Sequence, residues 1–274
     1  MRVIRGQIGF GVALAALLLA PSLFAQNPDK MTPEENEAKG RRIIRQLIEG
    51  LGGQPYLDMK SLQCDGRRAA FGHSGDTTGF ISFKSSWLYP DKLRVDFAKK
   101  GNIVDIFAGN EGWTLDRGGV SEEPATAVTD FQEALLRDIN YLLRYRLKEE
   151  GLQIRYAGSS VVDLKQIDWV EVADSEGRTF RIAVDISTHL PVRSLVTIRD
   201  ENTREVREEV TVYTNFQNKD GIRLPMQISR ERDGRRVQQT FYEGCQVNPV
   251  YPADWFTPAS LDKRYSEVGG KKKK

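Results

Sequence analysis

The feature that most restricts this chain is an alternation of apolar and polar residues that begins near Leu62 and recurs almost to the C-terminus. Leu93, Val95 and Phe97 interleave with Arg94 and Asp96. That period of two sends apolar side chains to one face of a strand and charges to a wet one. Turn clusters cut the pattern, first at Tyr89-Pro90-Asp91 and then at Gly109-Asn110-Glu111-Gly112. After a first strand opening at Leu62, segments 79–88, 93–99, 103–108 and 113–115 are therefore expected to form an antiparallel meander. Such short connections leave no room for parallel crossovers. Segments 161–173, 178–185, 192–199, 206–214, 222–232 and 235–247 repeat the pattern. They are parted by Ser175-Glu176-Gly177-Arg178, Lys219-Asp220-Gly221 and Arg232-Asp233-Gly234.

Two stretches have helical spacing instead. Thr32-Pro33-Glu34-Glu35 reads as a helix start in which Thr32 caps, Pro33 takes the first turn and Glu35 closes a capping box. Ile43, Ile44, Leu47, Ile48 and Leu51 follow on one face, and Gly52-Gly53 ends the helix. The second helix is expected from about Thr129 to Gly151, with Gln132 in the capping-box position and a stripe of Phe131, Leu135, Ile139, Leu142, Leu143 and Leu147. The fold class that follows is α+β: a curled antiparallel sheet forming an incomplete, half-open β-barrel of about ten strands, lidded by two amphipathic helices. A curled sheet covered in this way encloses an apolar cavity suited to small hydrophobic ligands.

At the N-terminus, Arg2 and Arg5 precede an apolar run from Ile8 to Ala20, and Pro21-Ser22 breaks it before Leu23-Phe24-Ala25. The run is shorter than the roughly 20 residues of a membrane span. Residues 1–25 thus read as a secretory signal cut after Ala25, and the mature protein is expected to work outside the cytoplasm. Residues 26–262 are read as one domain, and residues 263–274, which end in Lys271 to Lys274, as a disordered polar tail. Removing Arg2 and Arg5 leaves 38 basic residues against 38 Asp and Glu, so no positive excess favours nucleic acid as a partner. The two cysteines, Cys64 and Cys245, suit either one disulfide or two buried apolar positions. If bonded, they join the first strand to the last.

No catalytic or cofactor motif appears. The two histidines lie far apart in sequence, and His189 reads as a turn residue and His73 as a loop residue. A G-x-S-x-G elbow, a P-loop and a dinucleotide fingerprint are all missing. Neighbouring acids such as Glu208 and Glu209 point to opposite faces of a strand, so no enzyme, metal or cofactor is expected. A hydrolase would instead need a buried polar cluster with perturbed ionisation inside the cavity. Trp87, Trp113, Trp169 and Trp255 suit cavity walls or ordinary packing.

Several segments read together as a family pattern: Leu51-Gly52-Gly53, Met59-Lys60-Ser61-Leu62, Tyr89-Pro90-Asp91-Lys92-Leu93-Arg94 and Gly109-Asn110-Glu111-Gly112-Trp113. The runs from Asp185 to Arg193 and from Asn215 to Pro225 extend it. The chain resembles the bacterial outer-membrane lipoprotein-sorting superfamily, the LolA-like periplasmic carriers. The resemblance implies a half-barrel whose concave face receives acyl chains of lipids or lipoproteins, handed on to envelope membrane proteins by a carrier without catalysis. The alternative is a sensor or scaffold with the same fold, its cavity filled by its own side chains. By alternation alone, Phe80, Leu93, Val95, Phe97, Ile106, Trp113, Phe180, Ile182, Val184 and Val212 are expected to face the cavity, with Leu135, Ile139 and Leu142 beneath the lid helix.

Overall fold

The computed structural model of the protein describes residues 28–72, 74–97, 102–199 and 206–269. The expected export signal over residues 1–25, His73, Lys99 and the four final lysines lie outside the described residues. A helical turn at Pro28–Lys30 leads into α1 (Pro33–Leu51) and the short α2 (Gln54–Leu57). The first meander follows: β1 (Ser61–Phe71), β2 (Thr77–Leu88), β3 (Lys92–Phe97), β4 (Ile103–Ala108), β5 (Glu111–Asp116) and β6 (Gly119–Glu122). Next come α3 (Ala125–Leu136) and α4 (Ile139–Arg144), and then the second meander of β7 (Gln153–Val162), β8 (Lys165–Ala173), β9 (Thr179–Asp185), β10 (Pro191–Arg199), β11 (Val206–Lys219), β12 (Ile222–Arg232) and β13 (Arg235–Val247). The chain closes on α5 (Pro258–Gly269).

Among the described residues all thirteen strands form one antiparallel sheet in the order β6-β5-β4-β3-β2-β1-β13-β12-β11-β10-β9-β8-β7. Every neighbour is a hairpin partner except β1 and β13, the seam where the two meanders meet. Cys64 and Cys245 face each other across that seam and are joined in a disulfide. The sheet does not close into a barrel, because β6 and β7 remain its edges. The strand count exceeds the expected ten or so because β6 and β7 carry weak signals. The segment 161–173, read as one strand, holds the end of β7, a turn, and β8. That turn is Asp163-Leu164, with φ of 48° and 63°. It lacks the glycine that marks Asp220-Gly221 and Asp233-Gly234 as hairpin turns.

The N-terminus of α1 forms as its residues dictate: Thr32 Oγ1 accepts from the Glu35 amide at 3.2 Å, and Glu35 accepts from the Thr32 amide at 3.0 Å. Its buried side chains Ile43, Ile44, Leu47 and Leu51 pack on one face of the second meander, against Ile154, Val170, Ile182, Ile222 and Leu224. The helix also covers the β7 edge. Asn36 uses its amide group to pair with both the N–H and the carbonyl of Tyr156, at 2.9 and 3.0 Å. One turn on, Gly40 lets the helix rest on the Arg155–Tyr156 backbone, where a Cβ would lie 2.9 Å from the Arg155 carbonyl carbon.

Three expectations are corrected here. The second helix begins at Ala125 and is broken at Arg137 and Asp138, and Asp138 then caps α4 by accepting from the Asn140 and Tyr141 amides at 2.8 and 3.0 Å. An aspartate inside an apolar stripe competes for backbone donors, which ends one helix and starts another. Residues 263–269, expected in a disordered tail, are helical in α5. The face of β3 carrying Arg94 and Asp96, expected to be wet, is covered by this C-terminal segment. Phe256 and Leu261 pack on Val104, Ile106 and Leu115, and Arg94 is only 3% exposed. Arg94 holds the cover in place. It pairs with both oxygens of Asp96 at 2.9 Å, donates to Ser260 Oγ at 3.0 Å and stacks 4.0 Å from the Trp255 ring.

Candidate functional site

Strand register sorts the expected cavity residues between the two faces. Residues opposite each other in an antiparallel pair share a face, so the pairs Trp87/Leu93/Phe107, Ser85/Val95/Asp105 and Phe83/Phe97/Ile103 make three rows on one side of β2, β3 and β4. This is the face covered by α1, α3 and α4, called concave below. Leu93, Val95, Phe97, Phe180, Ile182 and Val184 belong to it. Phe80, Ile106, Trp113 and Val212 belong to the other face, contrary to expectation. Ile106 pairs with Arg94 and Trp113 and is fully buried beneath α5. Val212 pairs with Arg193 and Ser229. Phe80 is 59% exposed and lies 6.5 Å from Phe241 across β1. Ile103-Val104-Asp105-Ile106-Phe107 is apolar at four of five positions, so alternation cannot give its phase.

The concave face is not uniform. Phe180, Ile182 and Val184 are buried under the helices in one packed core with Ile139, Leu142 and Leu143 of α4, so this half is filled by the protein's own side chains. The half formed by β1 to β4 is covered only in part. There α3 rests on the first row through Phe131, whose ring lies 4.8 Å from Phe107 and 6.3 Å from Trp87. Trp87 stacks on Tyr89 at 5.8 Å, and the Arg144 guanidinium sits 4.2 Å from the Tyr89 ring. Arg144 also donates to the Met59 carbonyl. Buried Arg146 fastens the helix pair to the β8–β9 turn by donating to Asp174 at 2.8 Å and to the Leu136 carbonyl at 3.0 Å.

Beyond the lid, the third row stays open. Phe83 is buried and Phe97 half-buried, while Ile81 and Ile103 are 40% and 44% exposed. Together they make a partly exposed apolar strip across β2, β3 and β4, called the groove below. Gly66 follows Phe83 in this row and contributes no side chain, so Phe83 and Tyr242 meet edge to face across β1 at 5.9 Å. Arg68 lies beside Ile81 with its guanidinium 5.1 Å from the Phe83 ring. Phe83, Ile81, Ile103, Arg68 and Tyr242 escaped sequence reasoning because they face the groove only through the pairing of β1, β2, β3 and β4. Their one local signal was the phase of Val95 and Phe97.

Titratable groups do gather under the lid. Burial pushes the phenols of Tyr56, Tyr89, Tyr213 and Tyr242 above their ordinary range, so each stays neutral. Burial raises the Asp138 carboxyl, which backbone N–H groups then partly offset. Among them, the Ser194 and Tyr213 hydroxyls share a hydrogen bond at 2.9 Å, and Asp138 caps α4. Among the described residues no three His, Cys, Asp or Glu side chains gather as a metal site. Of two clefts of about 600 and 580 Å³, one lies at Asn110, Glu123 and Gln132 beside α3, and the other beside α5 at Lys84, Arg94, Glu243 and Asp254, reaching Gly66 and Phe83. Among the described residues no helix is long and apolar enough to cross a membrane.

No family model and no curated protein sequence matches the chain. Solved structures do match. A DUF1329 family protein from Desulfovibrio piger superposes with a TM-score of 0.58 at 13% identity, covering 81% of this chain and 98% of that one. A domain assigned to outer-membrane lipoprotein sorting, from Vibrio parahaemolyticus, gives 0.55 at 8% identity, over 83% of this chain and 100% of its own. A LolA superfamily protein from Nitrosomonas europaea gives 0.51 at 13% identity, over 81% and 99%. At these identities the likeness is one of fold: this chain has a LolA-like fold.

Proposed function

From that LolA-like fold, we propose that this protein is an exported, non-catalytic carrier that takes the acyl chain of a lipid or lipoprotein into the groove formed by Ile81, Phe83, Phe97 and Ile103. The observation that carries this reading is the exposure of Ile81 and Ile103 at 40% and 44% on the concave side of a sheet otherwise covered by helices. Large apolar side chains left facing water inside a concavity favour an apolar guest. Each methylene it buries contributes about 0.8 kcal/mol, so one chain is held without polar chemistry. The apolar run before Ala25 supports export, and the carrier would hand its cargo to a membrane partner. A second reading, a scaffold that docks another envelope protein, draws support from the filled half of the concave face under α1 and α4.

Displacement of a fluorescent fatty acid separates the two. The mature protein is expected to bind the probe, and Phe97→Asp to weaken binding at least tenfold, about 1.4 kcal/mol, with little change in thermal midpoint. Absence of acyl binding by the unmodified protein would overturn the carrier reading.

A further inference from the structure

The concave face carries two arginines that, among the described residues, have no carboxylate within ion-pair distance, although the charge of Asp138 reaches Arg230 from further off. Arg68 on β1 faces Thr240 on β13, and Arg230 on β12 faces Gln238 two residues earlier on the same strand. Both therefore rise from the same face, one on each side of β13, with Gln238 donating to Thr240 at 3.3 Å between them. Neighbouring arginines are paired: Arg67 meets Glu243 at 2.9 Å and Arg232 meets Glu209 at 2.9 Å. Among the described residues neither Arg68 nor Arg230 has such a partner within 4.0 Å, and Arg68 Nε is buried without a hydrogen bond. Burial and the like charge of Arg230 both disfavour the Arg68 cation. The carboxylate whose charge reaches Arg230 is Asp138, and its Oδ1 already caps α4. The partly buried Arg68 guanidinium without an anion is costly, and a ligand that brings one recovers that cost, while the exposed Arg230 is open to the same anion from the solvent side.

Resting on the groove reading above, we propose that the guest is an amphiphile with an anionic headgroup, a carboxylate or phosphate, received by Arg68 and Arg230 while its tail runs over Phe83, Phe97 and Ile103. The two features adjoin. Arg68 sits on the Phe83 ring and beside Ile81, and the path from β1 to β4 crosses three strand spacings, about 14 Å, the reach of a medium-length acyl chain. Tyr242, a neutral phenol beside Phe83, adds a hydrogen-bond donor at the headgroup end.

The test compares oleate with 1-monoolein, which share a tail and differ in charge, in competition with the fluorescent fatty acid. Unmodified protein is expected to prefer oleate by about tenfold, the effect of one charge-assisted hydrogen bond. Arg68→Gln and Arg230→Gln, each checked for an unchanged unfolding midpoint, are expected to lose that preference and keep monoolein affinity. Equal affinity for both ligands, or a preference that survives both substitutions, overturns the headgroup assignment and leaves the groove standing. Failure of both ligands to bind overturns the two together. Calorimetry with inorganic phosphate identifies the source of the anion: binding of phosphate lost in Arg68→Gln, in a protein that does not take up oleate, would mean a free-anion site and overturn the amphiphile.

Discussion

At the scale of single residues, close approach outweighs intrinsic preference. Gly40 lies in the middle of α1, where glycine costs about 1 kcal/mol relative to alanine in an open helix. It is tolerated because any Cβ there would press on the Arg155–Tyr156 backbone, and a strand held in a sheet cannot give way as a flexible side chain does. Overpacking of this kind costs about 1–3 kcal/mol. Gly40→Val is therefore expected to lower the urea midpoint by an amount equivalent to about 2 kcal/mol, with an unchanged m-value. Ala38→Val, on the exposed side of the same helix, should stay within about 0.5 kcal/mol. Equal midpoints for the two variants would show that α1 does not depend on its contact with the β7 edge.

At the scale of elements, α3 and α4 pack on the sheet in different ways. Leu142 on α4 is 1% exposed and belongs to the core shared with α1 and the second meander. Leu135 closes α3 at 8% exposure, just before the break at Arg137 and Asp138. A charge at Leu142 must enter the core, so Leu142→Asp is expected to destabilise the protein by about 3–5 kcal/mol. Leu135→Asp should cost less stability and change acyl retention more, because α3 reaches the sheet chiefly through Phe131 stacked on Phe107 and Trp87. Thermal unfolding and fatty-acid displacement on the same two variants give the comparison. Unchanged acyl binding in a well-folded Leu135→Asp protein would remove α3 from any gating role.

At the scale of the whole molecule, the seam matters most. Each meander is local in sequence, whereas β1 and β13 must find each other across the length of the chain, and the Cys64–Cys245 bridge closes a separation of 181 residues. A cross-link over so long a loop restricts the unfolded chain strongly, with typical stabilisation of about 2–4 kcal/mol and an upper value near 5 for this length. Cys64→Ser with Cys245→Ser is expected to lose stability in that range in urea unfolding, and reduction of the unmodified protein should reproduce the loss. A double variant that unfolds at the same urea concentration would show that strand pairing alone secures the seam.

What the sequence determined by itself is everything governed by neighbours in the chain. The capping box at Thr32 and Glu35, the glycine turns at Gly221 and Gly234, the apolar face of α1 and the antiparallel meanders all follow from contacts a few residues apart. The LolA-like fold was legible in the same turn and strand-entry segments. The turn at Asp163-Leu164 was not, because it lacks glycine, and neither was the break at Asp138, which sits inside an otherwise continuous apolar stripe. Only the tertiary structure decided which face each strand presents. Ile106 and Phe107 are equally apolar neighbours, yet a pairing shift of one residue exchanges them between the α5 side and the side covered by α3. Arg94 could be buried only because Ser260 and Trp255 reach it from the far end of the chain and join Asp96, its neighbour on β3. The groove itself exists because β1 to β4 align Ile81, Phe83, Phe97 and Ile103, and that alignment is a property of strand register, which no stretch of the sequence holds alone.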